Sequence, residues 1–338
     1  MAGRRSPQKG GRSGAPSFPV REKAVTVVGV AGTLSGPDRR FWKGSALTAK
    51  SPRPDARRST ADRLKLHRHH LRLDGRDYTV VTPRPGTDVR FAVNHFHGTW
   101  HILSDLRGAR FLARLMWGLS YQRRPGTIVC IGPPFLDPNP FDAEPSMPIV
   151  FGCPPASALP TGAARALRRA LPLGVGDGTV RWQTHGLARF GPDPDRSGGD
   201  RWTEYRDWLG GRPESHDHVR RHLVEVRSGA LVLEGAPIVL RDWAVSAHHL
   251  SFESFPMDYQ ELAGLTFRSG WVTDEGELQV FAEYRRMVGV ARAARAEVLA
   301  DPAAAADPAA YRPAIWNRGD DVKARRFPVP EPPRSGDG

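Results

Sequence analysis

The clearest pattern of hydrophobic and polar positions lies in residues 88–132 and predicts a strand, a helix and a second strand. Apolar residues alternate with polar or small ones over 89–93, a period of two that is typical of a strand with one buried face. Thr99 is the expected N-cap of a helix over 103–119, where apolar residues recur at helical spacing. The apolar run 127–131 fits a strand buried on both faces. Such a unit usually forms a right-handed parallel crossover.

Turn signals elsewhere predict antiparallel pairs. Asp74-Gly75 separates two apolar segments within 71–81, and Ser228-Gly229 does the same within 223–233, so each segment is expected to be a hairpin. Further strands are predicted at 149–152, 238–240 and 243–245, and helices at 163–171, 202–209, 213–221 and 274–298. Together these elements predict an α/β or α+β fold, with a mixed sheet around the strand-helix-strand unit, an antiparallel meander and disordered termini.

The composition divides the chain into three parts. Residues 1–69 are basic, rich in Gly, Pro and Ser and poor in large apolar groups, so they are expected to form a mostly disordered arm. Residues 70–300 are expected to form a globular α/β domain, with a candidate internal boundary at the Gly- and Asp-rich segment 191–200. Residues 301–338 are rich in Ala and Pro and are expected to form a tail.

The net positive charge is confined to the N-terminal part of the chain. Residues 1–72 contain 17 Lys and Arg against 4 Asp and Glu, and the remaining residues contain 32 of each, so the whole excess of +13 lies in the arm. A basic arm can bind nucleic acid through the phosphates, because binding releases counterions whatever the base sequence is. Nucleic acid is therefore the candidate partner of residues 1–72. A coding bias toward arginine is the competing explanation of the charge.

Cysteine content and hydropathy predict the compartment. Cys130 and Cys153 are the two cysteines of the chain, too few to stabilise 338 residues by disulfides, and both are expected to be buried thiols in a reducing compartment. No apolar run approaches the roughly 20 residues that a membrane-spanning helix needs. We therefore expect a cytoplasmic protein with no membrane partner.

Three histidines at the first junction of strand and helix are the leading candidates for chemistry. His95 and His97 continue the apolar face of the strand, and His101 is expected in the first turn of the helix. Imidazoles placed in this way can converge to the bond lengths of about 2.1 Å that zinc requires and leave a fourth position for water. Asp105, one helical turn after His101, is a candidate to orient that imidazole or to act as the base.

A second histidine cluster has the same spacing. His216, His218 and His222 repeat the pattern His-x-His-x3-His and are candidates for a second ligand set or for a two-metal site. The expected metal is zinc or another divalent cation. Because the spacing matches no established zinc signature, structural or surface histidines are the competing explanation.

Another chemistry needs no metal. His97-Gly98-Thr99 and His249-Leu250-Ser251 share the pattern His-x-Ser/Thr, each beside a predicted strand. The two tripeptides are similar to the paired motifs of the two-histidine phosphoesterases. That resemblance implies that His97 and His249 act as base and acid on a phosphate ester, while the hydroxyls hold its oxygens.

Three hypotheses about function follow. The leading one is a metal-dependent hydrolase with His95, His97 and His101 as ligands, and its candidate substrates are phosphoesters or nucleic acid. The alternatives are a metal-free two-histidine phosphoesterase and a non-catalytic accessory protein whose arm and tail recruit partners. The sequence contains no Gly-x-Ser-x-Gly nucleophile elbow, no phosphate-binding loop with Gly-Lys-Ser/Thr and no Cys-x-x-Cys pair, so it lacks the motifs by which these three kinds of site are usually recognised.

Overall fold

The computed structural model describes residues 63–184, 186–190, 222–253, 255–262, 276–302 and 308–327. All of them belong to the compact unit Arg53–Gly338. The strands of these ranges are β1 (Arg63–Leu73), β2 (Arg76–Thr82), β3 (Ala92–Phe96), β4 (Thr99–Ser104), β5 (Thr127–Ile131), β6 (Ile149–Gly152), β7 (Gly178–Gln183), β8 (His222–Arg227), β9 (Ala230–Gly235), β10 (Met257–Leu262) and β11 (Gly276–Phe281). The α-helices are α1 (Leu106–Ser120), α2 (Thr161–Ala170), α3 (Pro237–His249), α4 (Tyr284–Leu299) and α5 (Pro308–Arg326).

The described strands form two mixed sheets. The larger sheet has the order β7-β1-β2-β5-β6-β9-β8, and the smaller sheet has the order β10-β11-β4-β3. In the larger sheet β2 runs parallel to β5 and β6 runs parallel to β9, whereas the other neighbours are antiparallel. The smaller sheet contains one parallel pair, β4 with β11. The mixed α/β fold class expected from the sequence is therefore confirmed.

The main core joins both sheets to two helices. Leu66 and Val81 of the larger sheet and Ile102 of the smaller sheet pack in one buried cluster with α1 and α3. A second cluster lies on the opposite face of the larger sheet, where Ala163 and Leu167 of α2 cover it. The outer face of the smaller sheet packs on α4, and α4 packs in turn on α5.

Both hairpins expected from turn signals are confirmed. β1 pairs with β2 around Asp74 and Gly75, whose φ angles of 50° and 78° are the positive values that a two-residue hairpin turn requires. β8 pairs with β9 around Ser228 and Gly229, with φ angles of 50° and 77°. The expectation that Cys130 and Cys153 are buried free thiols is also confirmed.

The structure corrects the strand-helix-strand unit. Thr99 begins strand β4, and α1 begins later, at Leu106 with Asp105 as its N-cap. The chain turns back at His97 and Gly98, so β3 and β4 pair with each other before the helix starts. β4 then belongs to the smaller sheet and β5 to the larger one, so the helix between them is not a crossover within one sheet.

Two later predictions of secondary structure were wrong. The strands expected at 238–240 and 243–245 form the single buried helix α3, which is apolar on nearly all sides and so shows no clear helical period. The helix expected from residue 274 is strand β11 followed by α4, because Gly276–Phe281 pairs between β10 and β4.

The limits of the folded part also differ from the expected ones. β1 begins at Arg63 and so includes the last residues of the expected arm, and α5 occupies 308–326 in the expected tail. The candidate boundary 191–200 and the helices predicted at 202–209 and 213–221 lie outside the described residues. Within the described ranges, no helix combines the length and the apolar character needed to cross a bilayer.

Candidate functional site

A cavity of about 390 Å³ opens where β2 and β5 end. These strands are parallel neighbours, so their carboxyl ends lie at the same edge of the larger sheet, where ligand sites are common. Three loops within residues 83–90, 132–135 and 171–174 form its walls, and His67 and His69 of β1 line it. We call it the histidine cavity.

The alternation of side chains along β1 explains why both histidines face this cavity. Leu64 and Leu66 point into the main core, so His67 and His69 lie on the opposite face of the sheet, which also carries Leu71 and α2. His67 lies opposite the last residue of β2 in the antiparallel register. His67 is paired with both β2 and β7, and His69 is paired with β2, so strand pairing and not a loop holds the two imidazoles.

The two histidines differ in exposure. Their ring centroids are 6.4 Å apart with an interplanar angle of 66°. His69 is 7% exposed, whereas His67 is half-buried. Burial, and then the charge of His67, lower the pKa of His69, and Asp177 partly opposes this shift. His69 is therefore a neutral imidazole near neutral pH, as a proton acceptor must be.

A hydroxyl and a guanidinium complete the polar groups of the cavity. Nε2 of His69 lies 3.3 Å from Oγ1 of Thr82, a long hydrogen bond that a substrate hydroxyl can replace. Arg90 donates from Nη1 to the carbonyl of Pro134, and its other nitrogens have no partner among the described residues. A cation at this wall can stabilise negative charge that develops on a bound group.

A second cavity, of about 430 Å³, shares Asp88 with the first. Asp88 accepts from Arg285 and Arg107, and the hydrogen bond from Arg285 is the main cause that lowers the pKa of the Asp88 carboxyl. Arg285 also lies 3.7 Å from Asp105. The charged groups of this second cavity are thus paired with one another, which leaves fewer of them for a ligand than the histidine cavity offers.

Of the histidines singled out in the sequence that lie within the described ranges, His101 is the most buried. It lies on β4, 6% exposed, opposite Asn94 of β3 and Glu277 of β11. Burial, followed by the charges of His95 and His97, lowers the pKa of His101 to about 4. Its Nε2 is 3.4 Å from Oε2 of Glu277, and because the imidazole is neutral at pH 7 this contact is not an ion pair.

His95 and His97 do not share one face with His101. His95 pairs with Trp100, whose ring centroid is 4.4 Å from its own, and His101 pairs with the preceding residue, Asn94, on the other face of β3. His97 occupies the hairpin turn with φ 52°. No group of three His, Cys, Asp or Glu side chains placed to hold a metal occurs in the described part of the chain.

The remaining candidate residues lie in several places. Asp105 accepts a hydrogen bond from the backbone nitrogen of Gly108 at 2.8 Å, so it caps α1. His222 begins β8, with its ring 6.2 Å from that of Trp243. His249 ends α3, and its Nε2 contacts the carbonyl oxygen of Phe190. His216 and His218 lie outside the described residues.

The sequence contained a signal for the histidine cavity. From Leu64 to His69 apolar and polar residues alternate, with Leu64 and Leu66 on one side and Lys65, His67 and His69 on the other. Because the surrounding residues are strongly basic, this segment was predicted to belong to the disordered arm. The alternation would have placed both histidines on one face of a strand.

Comparisons with known proteins add no assignment. No protein-family model matches the chain, and neither the curated proteins nor the solved structures contain a significant match.

Proposed function

We propose that the protein is a metal-free phosphoesterase whose acid–base pair is His67 and His69 of the histidine cavity, a different pair from His97 and His249, which the resemblance implied. The observation that carries the proposal is the pair His67 and His69, with ring centroids 6.4 Å apart in a cavity of about 390 Å³. The imidazole of His69 is buried and neutral, and the imidazole of His67 is half-buried beside it. An acid and a base held apart in this way suit a reaction in which one oxygen enters as another leaves.

The proposed step moves two protons. Nε2 of His69 takes the proton of the attacking hydroxyl, from water or from the substrate, while its oxygen forms a bond to phosphorus. The bond from phosphorus to the leaving oxygen breaks, and that oxygen takes a proton from the ring of His67. Exchange with solvent then returns the proton from His69 and restores the one on His67, so the cycle closes without a further reactant.

Two neighbours favour a phosphoryl group as the substrate. Entering and leaving oxygens lie roughly in line across phosphorus, and the separation of the two rings leaves room for that arrangement. Arg90 supplies a guanidinium with free donors, and such a group matches the paired oxygens of a phosphate. Thr82 is placed to hold a phosphate oxygen once the substrate displaces it from His69.

The test is hydrolysis of bis(4-nitrophenyl) phosphate by the full chain in EDTA, with 4-nitrophenyl acetate as the carboxyl-ester control. We expect His69→Gln and His67→Gln each to lower kcat/KM about 100-fold or more, the usual contribution of general acid–base catalysis. His70→Gln is the matched control, because it changes an exposed histidine of the same strand on the opposite face. Inactivity of the unmodified chain on both bis(4-nitrophenyl) phosphate and 2-hydroxypropyl 4-nitrophenyl phosphate, which carries its own attacking hydroxyl, or full activity of His69→Gln, overturns the proposal.

The same assay separates this proposal from the metal-dependent hydrolase. Activity that EDTA removes, that zinc restores and that His67→Gln retains would favour a metal held by His95, His97 and His101 instead. Metal content of the untagged protein gives the second readout. That metal site stays a prediction.

Location and the arm also stay predictions. Residues 1–62 lie outside the described ranges, and nucleic-acid binding by the basic arm awaits a deletion of those residues. A cytoplasmic location is supported by two buried cysteines that are not joined in a disulfide.

A further inference from the structure

Three arginines of α2 form an exposed basic ridge. Arg165, Arg168 and Arg169 stand at positions i, i+3 and i+4, so they share one face of the helix. All three are exposed, while Ala163 and Leu167 on the other face pack on the larger sheet. No ion pair or hydrogen bond joins the three guanidinium groups to any other residue of the described part of the chain. We call them the α2 ridge.

This lack of partners distinguishes the ridge from the arginines of α4 and α5. There, most arginines are paired with carboxylates at distances of 4 Å or less: Arg285, Arg286, Arg292, Arg312, Arg318 and Arg325. A solvated helix face usually carries both signs of charge, as those two helices do. The α2 ridge carries one sign alone, which leaves its charge available to an anionic ligand.

The ridge leads to the histidine cavity. α2 begins beside the β1–β2 turn, where Gly162 packs against Asp74, and it ends where Leu171 packs against Gly132. Leu171 is also a wall residue of the cavity. Because it lies two positions after Arg169, the two Cα atoms are at most about 7 Å apart.

A second pair of free cations lies on the other side of the histidines. Lys65 and Arg181 are cross-strand neighbours of β1 and β7, both exposed. Lys65 precedes His67 by two residues, about 7 Å along the strand and on the same face. Neither side chain has a partner among the described residues. Unpaired cations therefore flank the histidine pair on two sides.

We infer that the substrate is single-stranded RNA whose backbone follows these cations through the histidine cavity. The inference rests on the proposed function and adds the substrate class. Free cations before and after the acid–base pair suit a chain of phosphates better than a single phosphate ester. A cavity of about 390 Å³ admits one phosphate with its adjoining groups, and a flexible single strand can enter it while its neighbours stay on the flanking cations.

RNA supplies the attacking hydroxyl that the acid–base pair needs. His69 takes the proton of the 2′-hydroxyl, and the 2′-oxygen forms a bond to the adjacent phosphorus. The bond from phosphorus to the 5′-oxygen of the next nucleotide breaks, and that oxygen takes a proton from His67. The products are a 2′,3′-cyclic phosphate and a 5′-hydroxyl, and the step needs no other reactant.

Binding is tested with a fluorescein-labelled 12-nucleotide RNA by fluorescence anisotropy, on full chains carrying His69→Gln so that the RNA stays intact. At 0.1 M salt each phosphate contact on a single strand contributes about fivefold relative to 1 M salt, so Arg165→Ala/Arg168→Ala should weaken binding about 25-fold and lower the salt slope by about 1.4. Lys323→Ala/Arg326→Ala is the control, since it removes two exposed cations from the last turn of α5.

The outcomes separate this inference from the proposed function. If the ridge and control variants lose the same RNA affinity, or if the ridge variant loses less than threefold, the inference that RNA follows these cations is overturned, even when bis(4-nitrophenyl) phosphate is hydrolysed. Ridge-dependent binding without cleavage of the RNA by the unmodified chain supports RNA binding along the ridge but overturns RNA as the substrate, and the proposed function is then decided by hydrolysis of the 4-nitrophenyl phosphodiesters alone. Cleavage of RNA to a 2′,3′-cyclic product supports both, and cleavage of DNA of the same sequence at an equal rate overturns the role of the 2′-hydroxyl.

Discussion

Replacing Gly118 by alanine tests the packing that fixes the edge of the larger sheet. Gly118 is a buried residue of α1 that faces Trp182 of β7. A Cβ added there would lie 2.5 Å from Cε3 of Trp182 and 3.2 Å from its Cβ. The ring cannot simply rotate away, because the Cβ contact involves the backbone position of β7 and because Trp182 is 6% exposed in the main core. The strand itself has to shift.

The expected loss of stability in Gly118→Ala is obtained by comparison with a matched variant. Gly289 is also a helical glycine, in α4, but apart from its chain neighbours and the backbone of its own helix no atom lies within 4 Å of the Cβ that alanine would add. Both substitutions gain the helix propensity of alanine, about 1 kcal/mol, so this gain cancels when the two are compared. Overpacking costs about 1–3 kcal/mol. We therefore expect Gly118→Ala to have a free energy of unfolding about 1–3 kcal/mol below that of Gly289→Ala.

The assay is urea unfolding followed by tryptophan fluorescence, with the slope m compared between variants so that a change in midpoint reports stability. Because β7 pairs with the strand that carries His67, Gly118→Ala should also reduce phosphodiester hydrolysis, whereas Gly289→Ala should not. Equal or greater stability of Gly118→Ala would refute the reasoning, since it would mean that α1 and β7 do not meet as closely as described.

Two further predictions concern buried ionisable groups. Oε1 of Glu234 accepts from the backbone nitrogen of Leu159 at 2.7 Å and from Arg227 at 3.1 Å. Glu234→Ala removes the acceptor for both groups and should lower the free energy of unfolding, measured by urea titration, by about 3–5 kcal/mol. Glu234→Gln keeps an acceptor oxygen and should lower it by less. The pKa of His101 is about 4 in the folded protein and 6.5 ordinarily. The contribution of the neutral imidazole to the free energy of unfolding is therefore complete above pH 6.5, and it falls by about 3 kcal/mol as the pH drops to about 4. Unfolding midpoints between pH 7 and 4 should fall less for His101→Gln, and an unchanged pH dependence would contradict the assignment.

The sequence allowed the local elements of the larger sheet to be predicted. Asp74-Gly75 and Ser228-Gly229 are residues that accept positive φ, and they lie between apolar segments of strand length. Both hairpins could therefore be predicted from about a dozen consecutive residues each. The buried strand β5 was recognisable because both of its faces are apolar. These features depend on neighbours in the chain and need no knowledge of distant contacts.

The smaller sheet could not be predicted in the same way. β4 lies between β3, which is close in sequence, and β11, which is more than 170 residues away and pairs with it in parallel. Its residues Ile102 and Leu103 are both buried because one face meets the main core and the other meets α4. That double burial removes the alternation of a strand, so helical spacing dominated the pattern and placed His101 on a helix.

The position of the histidine cavity follows from unequal strand lengths in the larger sheet. β1 has 11 residues and β2 has seven, and β2 ends at Thr82, opposite His67. Pro83 follows, and because proline has no backbone N–H it cannot continue the ladder, so the chain turns away and leaves that side of β1 uncovered. The remaining part of β1 stays in place because β7 pairs with it. The loops that follow β2 and β5 bound the cavity on this face of the sheet, and the side chains of His67 and His69 line it. A register shift of one residue would turn both to the opposite face, so the turn at Asp74 and Gly75, which sets the register, fixes the site as well as the fold.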